Sequence, residues 1–579
     1  MINQTRTFLI VALVAVVFLL WQAWQHDYPA VPPPTPVASA QAAPPASSVP
    51  ETSAIPAVPG TPASTIASAP ANPAAPPAAN ANLEATPKQD LVTASSDLLK
   101  LTIDPRGGTI IGAALLKYPQ QVKRGSPPVE LLGESHDAYY VAQDGLIGSD
   151  GSQAPNHLAE FKPEATHYSL APGQDKVVVT LTWNDATSGV SVIKRYTLTR
   201  GSYVVELSQE VINHGTQTWH GNSYEQLDRV EPPPPPKHFL EFYNPDSMSF
   251  TGAAWHSDKY NKLKFDDFQK DPLHVSVTGG WIAMPQRFFV GAWIPDAKQP
   301  QQFSSVEVAP HGANGKPRYL IRTIGPSFAV APGASATRDA RLYIGPKLQN
   351  KLGNVAPGLD RTVDYGMWTV IAQPLFKLLS FLHELVRNWG LAIIVLVLII
   401  QAAIYKLTEA QYKASARMRK LQPRLKALKE RFGDDKQKYQ QAMMELYKKE
   451  KVNPMAGCLP ALITQPIFFA LSYVLIFSVE LRHASFLWIP DLSAADPYFI
   501  LPVVYALTML GQQFLTPAQG MDPTQAKVMK AMPVLFAVLF FFFPAGLTLY
   551  YVVRGICMLA QQWHVTRKVE RGDYDRARA

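Results

Sequence analysis

Few residues of this chain stand at a spacing that could support catalysis. His383 and Glu384 resemble the start of a zinc-protease helix, but Arg387 occupies the position that needs the second histidine ligand. Gly107 and Gly108 follow a strand-like segment with no helix clearly opening behind them, so a turn is the better interpretation than a phosphate loop. The sequence contains no Walker loop, and spacing alone assembles no Ser/His/Asp set. We therefore expect a non-enzymatic protein with no cofactor and no metal ion.

Polar side chains inside apolar runs are a stronger indication of function. A buried arginine costs about 2.5–3.5 kcal/mol on insertion scales, so it usually faces water or a partner. Gln401 and Arg554 lie ten and nine residues into two runs of the same direction, which should place them at similar depth. The sequence predicts that Gln401 and Arg554 line one hydrophilic pocket, with Thr464, Gln465, Tyr550 and Tyr551 as further candidate residues of the same groove. The alternative is that Arg554 extends toward the cytoplasmic headgroups.

The apolar runs that would position these side chains lie at the two ends of the chain. About 17 largely apolar residues are the lower limit for crossing a bilayer. The N-terminal run reaches this limit with its Trp-bearing flank, and five further runs follow late in the sequence. The six predicted spans are 8–21, 391–405, 459–479, 498–514, 528–543 and 545–563. The first could also be a cleaved signal peptide, but no small-x-small cleavage site follows it, which favours an uncleaved anchor.

Lysine and arginine positions predict the orientation of these spans. Residues 406–451 contain fourteen Lys or Arg against six Asp or Glu, a surplus that equals the formal charge of +8 of the whole chain. Positive loops stay in the cytoplasm. Arg6 and the basic tail of residues 566–579 then place both termini inside, and the loop with Glu480, Asp491 and Asp496 outside. The sequence thus predicts a multi-pass protein of the bacterial inner membrane with its β-rich region in the periplasm.

The basic segment 406–451 has the pattern of a cytoplasmic helical hairpin. Two helical stretches flank Gly433, Asp434 and Asp435, and Pro423 should bend or break the first arm. One interpretation is a solvated stalk, and the other is a surface that docks ribosomal RNA or anionic phospholipids. The candidate contact residues are Arg417, Arg419, Lys420, Arg424, Lys426, Lys429 and Arg431.

The region between the apolar ends divides into a linker and an all-β unit. Residues 26–92 are rich in Pro and Ala with almost no charge, a composition that is typical of a disordered tether. Residues 93–346 show period-two alternation, as in Val177, Val179 and Leu181, which predicts a large β-sandwich.

The predicted domains follow from these patterns. The fold class is an α-helical polytopic membrane protein with an all-β periplasmic sandwich. Leucines at helical spacing predict an amphipathic interfacial helix in residues 359–388. The domains are an anchor (1–25), a linker (26–92), a β-sandwich (93–346), the interfacial helix (359–388), a five-span core (389–565) with its hairpin (406–451), and a tail (566–579).

Several dispersed motifs resemble the YidC insertase family (YidC/Oxa/Alb), in the proteobacterial form with a large periplasmic domain. They occur in the same order over nearly the whole chain, except in the linker. They include Gly279-Gly280-Trp281, Asn388-Trp389-Gly390, Leu421-Gln422-Pro423, Val452-Asn453-Pro454, Gln465-Pro466-Ile467-Phe468 and Leu549-Tyr550-Tyr551.

This resemblance implies a membrane protein insertase and chaperone. The expected fold is a five-helix core around a hydrophilic groove that opens to the cytoplasm and to lipid, with a β-supersandwich that is largely dispensable for insertion. The expected partners are nascent membrane proteins, the ribosome and the Sec translocon (SecYEG and SecDF). The expected state is a monomer when the protein acts alone.

One departure from the family pattern concerns the charge of the groove. The family typically carries an arginine at the position of Gln401, and more often a small polar residue at that of Arg554. Lys406 and Glu409 also replace the commoner Pro and Lys. We hypothesise that the positive charge has moved from the first core span to the last.

Two functions of other classes stay open at this point. A secondary transporter could use Arg554 to bind a small anion, although no inverted repeat is visible and the spans are few. A periplasmic chaperone scaffold could work mainly through the β-rich region. Deletion of residues 97–346 would separate this scaffold from an insertase core.

Overall fold

The computed structural model describes most of the chain after residue 90. The described ranges are 91–149, 152–233, 245–246, 248–309, 315–432, 435–450, 459–515 and 538–571. The predicted anchor lies outside the described residues, as do nearly all of the linker, most of the predicted span 528–543 and residues 572–579 of the tail.

The first part of the described chain consists of β-strands. They are β1 (Val92–Ser95), β2 (Leu99–Asp104), β3 (Thr109–Pro119), β4 (Pro128–Leu132), β5 (Tyr140–Gly148), β6 (Lys162–Pro163), β7 (His167–Ser169), β8 (Lys176–Asp185), β9 (Val190–Thr199), β10 (Val204–Asn213), β11 (Trp219–Val230), β12 (Ala253–His256), β13 (Tyr260–Leu263), β14 (His274–Thr278), β15 (Trp281–Pro285), β16 (Phe289–Ile294), β17 (Pro300–Val308), β18 (Arg318–Ile324), β19 (Phe328–Val330) and β20 (Ser335–Pro346).

These strands form two sheets. The first has the order β14-β17-β18-β11-β5-β3-β2-β1-β7, with β19 beside β11 and β4 beside β3. The second has the order β13-β12-β15-β16-β20-β10-β9-β8-β6. Among the described pairings, β1 and β7 run parallel, and the long pairs such as β10 with β20 run antiparallel. The chain therefore has the two-sheet, β-rich unit that the alternation predicts.

The core of this unit lies between the two sheets. Val177, Val179 and Leu181 of β8 are buried, and the residues between them are exposed or half-buried. They belong to the same apolar cluster as Leu101 of the first sheet and Trp293 of the second. Period-two alternation thus buries one face of each sheet. The predicted turn after β2 is also present, since Gly107 and Gly108 both have positive φ (75° and 66°).

Helices follow the strands. They are α1 (Gln349–Val355), α2 (Thr369–Val386), α3 (Trp389–Ala403), α4 (Tyr405–Lys420), α5 (Gln422–Phe432), α6 (Lys436–Lys449), α7 (Leu459–Phe477), α8 (Ile500–Leu515) and α9 (Ala545–Glu570). A second apolar core joins α2, α3, α7 and α9, with Phe376, Leu396, Leu475 and Leu549 at its centre.

Length and hydropathy identify only part of the predicted set of spans. Among the described residues, Gly366–Val386 is the one continuous helix that is long and apolar enough to cross a membrane. Trp389–Ala403 and Tyr405–Lys420 satisfy the same test together but are bent by 65°. The continuous helix Gly366–Val386 lies within the segment that the sequence predicts to be on the membrane surface (359–388). It begins as a short 3₁₀ turn at Gly366, and four of its apolar residues are exposed, namely Met367, Val370, Phe381 and Leu385.

The predicted hairpin consists of three helices, because its first arm is broken near Pro423, as the sequence predicts. The break between α4 and α5 falls at Leu421, two residues before Pro423, because proline fits the first turn of a helix and not its interior. Asp435 caps α6 by accepting hydrogen bonds from the amides of Gln437 and Lys438. Leu425 of α5 and Tyr447 of α6 pack together, which joins the two arms.

Direct contacts connect the β-rich part to the helices. Arg287, in the turn between β15 and β16, donates from Nη2 to the carbonyl of Ile476 at the end of α7 (3.1 Å). Asn350 of α1 donates to the hydroxyl of Ser380 of α2 (2.8 Å). Val479, just after α7, is buried in the apolar core of the strands. These contacts place the end of α7 against the β-rich part.

Candidate functional site

Four of the predicted groove residues meet around one cavity. Gln401 of α3, Thr464 of α7, and Tyr550 and Arg554 of α9 all line it. Its volume is about 20 Å³, room for about one water molecule. It is a small polar cavity between the three apolar helices α3, α7 and α9.

Arg554 is the one charged side chain among the described residues that line this cavity. Its guanidinium carbon lies 4.9 Å from the centre of the Phe468 ring on α7. The guanidinium also interacts with the hydroxyl of Tyr550, one turn earlier on the same helix. Among the described residues no carboxylate lies within ion-pair distance of Arg554. Among the described residues its charge is thus held by an aromatic ring and a hydroxyl, and by no carboxylate.

Glycine allows the close approach of helices behind Arg554. A Cβ atom on Gly555 would lie 2.7 Å from the hydroxyl oxygen of Thr508 on α8. The carbonyl of Gly555 accepts a hydrogen bond from Gln512 of α8 (3.1 Å). Closer to the C-terminal end of α9, Gln561 accepts from Thr408 of α4 (2.9 Å) and donates to the carbonyl of Tyr405 (2.9 Å). These contacts fix α9 between α8 and α4, so the depth of Arg554 is fixed as well.

Gln465 and Tyr551 do not line this cavity. Each directly follows a residue that does, and successive residues of a helix point about 100° apart. Gln465 is consequently exposed. Tyr551 instead packs against Phe468 (5.0 Å between ring centres) and Phe540 (4.5 Å). The predicted set of six residues therefore divides between the polar cavity, an exposed helix face and an aromatic cluster.

An apolar cleft of about 330 Å³ adjoins the polar cavity. Phe468 of α7 lines both: Arg554 of α9 lies with it at the polar cavity, and Tyr551 of α9 lies with it at the cleft. Trp368 and Phe469 also line the cleft and stack on each other, with 5.5 Å between ring centres. The site thus combines one polar point with an aromatic surface on the same helices.

The sequence interpretation missed the apolar residues that shape the cavity. Five of them line it: Val397, Ile400, Ile404, Ile467 and Phe468. Val397 and Ile404 lie four residues before and three after Gln401, and Phe468 lies four residues after Thr464. Residues at these spacings share a helix face. Helical spacing from each polar residue could therefore have found them.

The basic residues of the hairpin fall into two groups. Some contact other parts of the chain: Lys420 donates to the carbonyl of Val569 (2.5 Å), Arg419 lies 3.9 Å from Glu570, and Arg424 pairs with Glu450. Arg417 is half-buried, whereas Lys426, Lys429 and Arg431 are exposed. Among the seven candidate contact residues, the exposed ones that make none of these contacts therefore lie on α5.

His383 takes part in a packing contact. Its ring stacks on Trp389 with 3.9 Å between ring centres and 8° between the ring planes. The turn between the two rings passes through Arg387, whose φ is 52°. The His383 side chain thus links the end of α2 to the start of α3.

Comparison with known proteins identifies the family. Residues 91–378 match the YidC periplasmic domain, and residues 381–572 match the 60Kd inner membrane protein family. The membrane protein insertase YidC of Xanthomonas campestris pv. campestris is 46% identical over 576 residues, which cover 98% of this chain and 97% of the relative. The chain belongs to the YidC family of membrane protein insertases. In this family it is an inner-membrane protein whose β-rich part is the periplasmic domain, and its relatives have a non-enzymatic function.

A second relative agrees with this membership. The membrane protein insertase YidC of Stenotrophomonas maltophilia is 44% identical over 576 residues, with 98% of this chain and 97% of the relative covered. A solved structure is described as an active YidC insertase with the first transmembrane domain resolved. Its match covers 82% of this chain and 92% of the chain in that structure. That match has 18% identity and a TM-score of 0.37.

Proposed function

We propose that this protein inserts and helps to fold inner-membrane proteins, and that Arg554 receives the polar flank of the entering segment. The observation that carries this proposal is an arginine without an ion-pair partner, among the described residues, at a polar cavity between apolar helices. Burying such a charge is costly, so an acidic group on a substrate would be attracted to it. Gln401, Thr464 and Tyr550 supply further hydrogen-bonding groups around the same point.

The proposed mechanism is passive. The hydrophobic part of a nascent segment moves along the aromatic cleft, while its polar flank rests at the Arg554 cavity. The membrane potential adds about 2.3 kcal/mol per charge per 100 mV and favours export of acidic flanks. Partition of the apolar segment into lipid supplies the net driving force. Gln465 and Tyr551 would act on the lipid side of this path, where Tyr551 extends the aromatic surface.

The proposed topology has six spans with both termini in the cytoplasm. The bent pair of α3 and α4 supports one span that continues into the hairpin, and the basic hairpin itself supports a cytoplasmic location. In this arrangement α7 runs outward, so that the loop with Glu480 and Arg482 meets the periplasmic domain. Cysteine labelling of residues on either side of α7 in intact cells would test this orientation.

The proposed partners are nascent chains, the ribosome, the Sec translocon and anionic phospholipids. The exposed cations of α5 support contact with a polyanion on the cytoplasmic side. The domain boundaries predicted from the sequence are part of the same proposal, with the cytoplasmic hairpin as a receiving surface and the five-span core as the path. We propose a monomer as the unit that acts alone.

Site-specific crosslinking tests the path of the polar flank. A photoreactive amino acid at Ile404 would face the cavity, whereas one at Ile556 would not, since that residue is 49% exposed and two positions beyond Arg554. We expect the acidic flank of a stalled nascent chain to crosslink at position 404 and not at 556. Equal crosslinking at both positions would contradict the proposed path.

A further inference from the structure

A second and much larger cavity lies where the periplasmic domain meets the helices. Its volume is about 1020 Å³, at the upper end of the range of about 300–1,000 Å³ for small-molecule sites. The turn between β15 and β16, the end of β11 and the start of β18 contribute to its wall, and Arg482 joins from the helical side. This cavity shares none of its described lining residues with the cavity at Arg554.

The charge of this cavity is positive. Four cations line it: Arg229, Arg287, Lys316 and Arg482. Two carboxylates accompany them, those of Glu231 and Asp246. Arg287 pairs with Asp246 (3.0 Å), and Lys316 pairs with Asp137 (2.7 Å). Among the described residues, no carboxylate lies within ion-pair distance of Arg229 or Arg482.

Three of these arginines have a buried N–H group without a hydrogen-bond acceptor among the described residues. The atoms are Nη1 of Arg229, Nε of Arg287 and Nη1 of Arg482. More than nine in ten buried polar groups of native proteins have a partner, so three arginines with an unpaired buried N–H beside one cavity form an unusual cluster. Arg229 is only 5% exposed, and burial lowers the pKa of its guanidinium. An anion in the cavity would offset the cost of burying that charge.

Aromatic rings hold the guanidinium groups in place. Arg229 lies over Tyr140 (4.8 Å), Arg287 over Phe288 (4.3 Å) and Arg482 over Phe289 (5.5 Å). Planar guanidinium groups that are already ordered bind phosphate with little further loss of entropy, and can do so with two hydrogen bonds each. The cavity is therefore preorganised for a phosphate group.

Apolar surface next to this cavity indicates that the phosphate belongs to a lipid. Asp246 and Ser249 line the cationic cavity, and Met248 between them lines the apolar cleft of about 330 Å³. Ile476 also lines that cleft, and its carbonyl accepts the hydrogen bond from Arg287. The two spaces therefore meet at the end of α7, with charge on one side and aromatic surface on the other.

We infer that the cavity of Arg229, Arg287 and Arg482 binds the headgroup of an anionic phospholipid from the periplasmic leaflet, with an acyl chain along the cleft at Met248 and Ile476. The inference relies on the proposed topology, in which the end of α7 lies at the periplasmic surface. It does not depend on the role of Arg554. A bound lipid would join the periplasmic domain to the membrane at the outer end of α7.

Native mass spectrometry of the full chain tests this site. The protein is released from nanodiscs that contain equal amounts of phosphatidylglycerol and phosphatidylcholine, and the retained lipids are counted. We expect wild type to retain one more phosphatidylglycerol than the variant R229Q/R482Q, with about a tenfold preference over phosphatidylcholine. Arg338→Gln is the matched control, because Arg338 also has a buried Nε without an acceptor and stacks on Phe328 (3.9 Å), yet does not line this cavity.

Further arms separate lipid binding from a loss of folding and from the binding of free phosphate. If the double variant has a lower melting temperature than R338Q, the single variant Arg482→Gln replaces it in the measurement. We expect Arg482→Gln to lose most of the retained phosphatidylglycerol. Equal retention in wild type and R482Q, or equal retention of the two lipids, would overturn the inference. Loss of the retained lipid upon addition of excess inorganic phosphate would also overturn it, because the site would then be one for free phosphate. The cytoplasmic hairpin is unchanged in all variants, so its own lipid contacts cancel in the comparison.

Discussion

The guanidinium carbon of Arg554 lies 4.9 Å from the centre of the Phe468 ring. This contact joins α9 to α7 beside the small polar cavity. The ring separates the polar cavity of Gln401 and Thr464 from the aromatic cleft that contains Tyr551. A substrate that presents a polar flank and an apolar segment would meet both environments on opposite sides of Phe468. The pair of Arg554 and Phe468 is therefore the junction of the proposed path.

Removal of the charge at Arg554 should impair substrates with acidic flanks selectively. We expect Arg554→Gln to reduce their insertion by about tenfold, which corresponds to about 1.4 kcal/mol, and to affect neutral flanks much less. Arg554→Lys should retain most activity. Protease protection of the inserted flank in liposomes measures this.

Arg567→Gln provides the control for that measurement. Arg567 lies on the same helix and stacks on Trp563 at 3.9 Å, but it does not line the cavity. Equal losses in the Arg554 and Arg567 variants would show that the charge of the groove has no specific role.

A fully buried ion pair lies inside the two-sheet unit. Lys194 Nζ lies 2.6 Å from Asp144 Oδ1, and both side chains are 0% exposed. Removal of one member of such a pair leaves an uncompensated charge and typically costs about 3–5 kcal/mol. We expect Lys194→Met to lower the melting temperature of the full chain by about 10 °C. Lys176→Met should change it little, because its pair with Glu206 is exposed and 3.7 Å long.

Glu480 should make stability depend on pH. Burial raises the pKa of this carboxyl to about 7, and its Oε1 accepts a hydrogen bond from the amide of Gln349 (3.4 Å). In the unfolded chain the pKa returns to its ordinary value near 4.5. As pH rises, the Glu480 carboxyl therefore ionises in the unfolded chain before it ionises in the folded protein. The free energy of unfolding should fall between about pH 4.5 and pH 7, then level off.

The size of this effect follows from the shift in pKa. A difference of this size corresponds to about 3 kcal/mol of unfolding free energy. Urea unfolding at pH 5 and pH 8, for wild type and for Glu480→Gln, measures it. We expect the glutamine variant to lose less stability between the two pH values than wild type. An identical pH dependence in both proteins would rule out Glu480 as its source.

The exposed cations of α5 should provide salt-sensitive binding to a polyanion. We expect the triple variant K426Q/K429Q/R431Q to weaken ribosome or anionic vesicle binding and to reduce its dependence on salt concentration. Stability should not change, because these side chains are exposed. K426R/K429R preserves the charge and should bind like wild type. Co-sedimentation at low and high salt distinguishes a docking surface from a solvated stalk.

Much of the β-rich unit could be predicted because buried and less buried residues alternate along each long strand. Val177, Val179 and Leu181 alternate with polar neighbours, so one strand reveals its own buried face. The meeting of Gln401 and Arg554 was also predictable, since two spans of the same direction bring equal positions to equal depth. Adjacent residues were harder to assign. Thr464 and Gln465 are neighbours in sequence, but the helix turns one toward the cavity and the other outward.

The periplasmic cavity could not be predicted from the sequence. Arg229, Arg287 and Arg482 lie far apart along the chain, and each alone has the pattern of a surface charge. Their common site depends on the packing of two sheets against the end of α7, which no local pattern encodes. The bend of 65° between α3 and α4 was missed for a similar reason. Just beyond the bend, Thr408 hydrogen-bonds to Gln561 of α9, a tertiary contact that no local sequence pattern indicates.

The most direct test of the account is insertion by the purified protein alone. The full chain is placed in sealed liposomes without translocon or ATP, and a short single-span substrate with an acidic N-terminal flank is added. We expect protease-protected substrate well above the level of empty liposomes, and much less with Arg554→Gln. Background-level insertion by folded wild-type protein would contradict an autonomous insertase with its polar contact at Arg554.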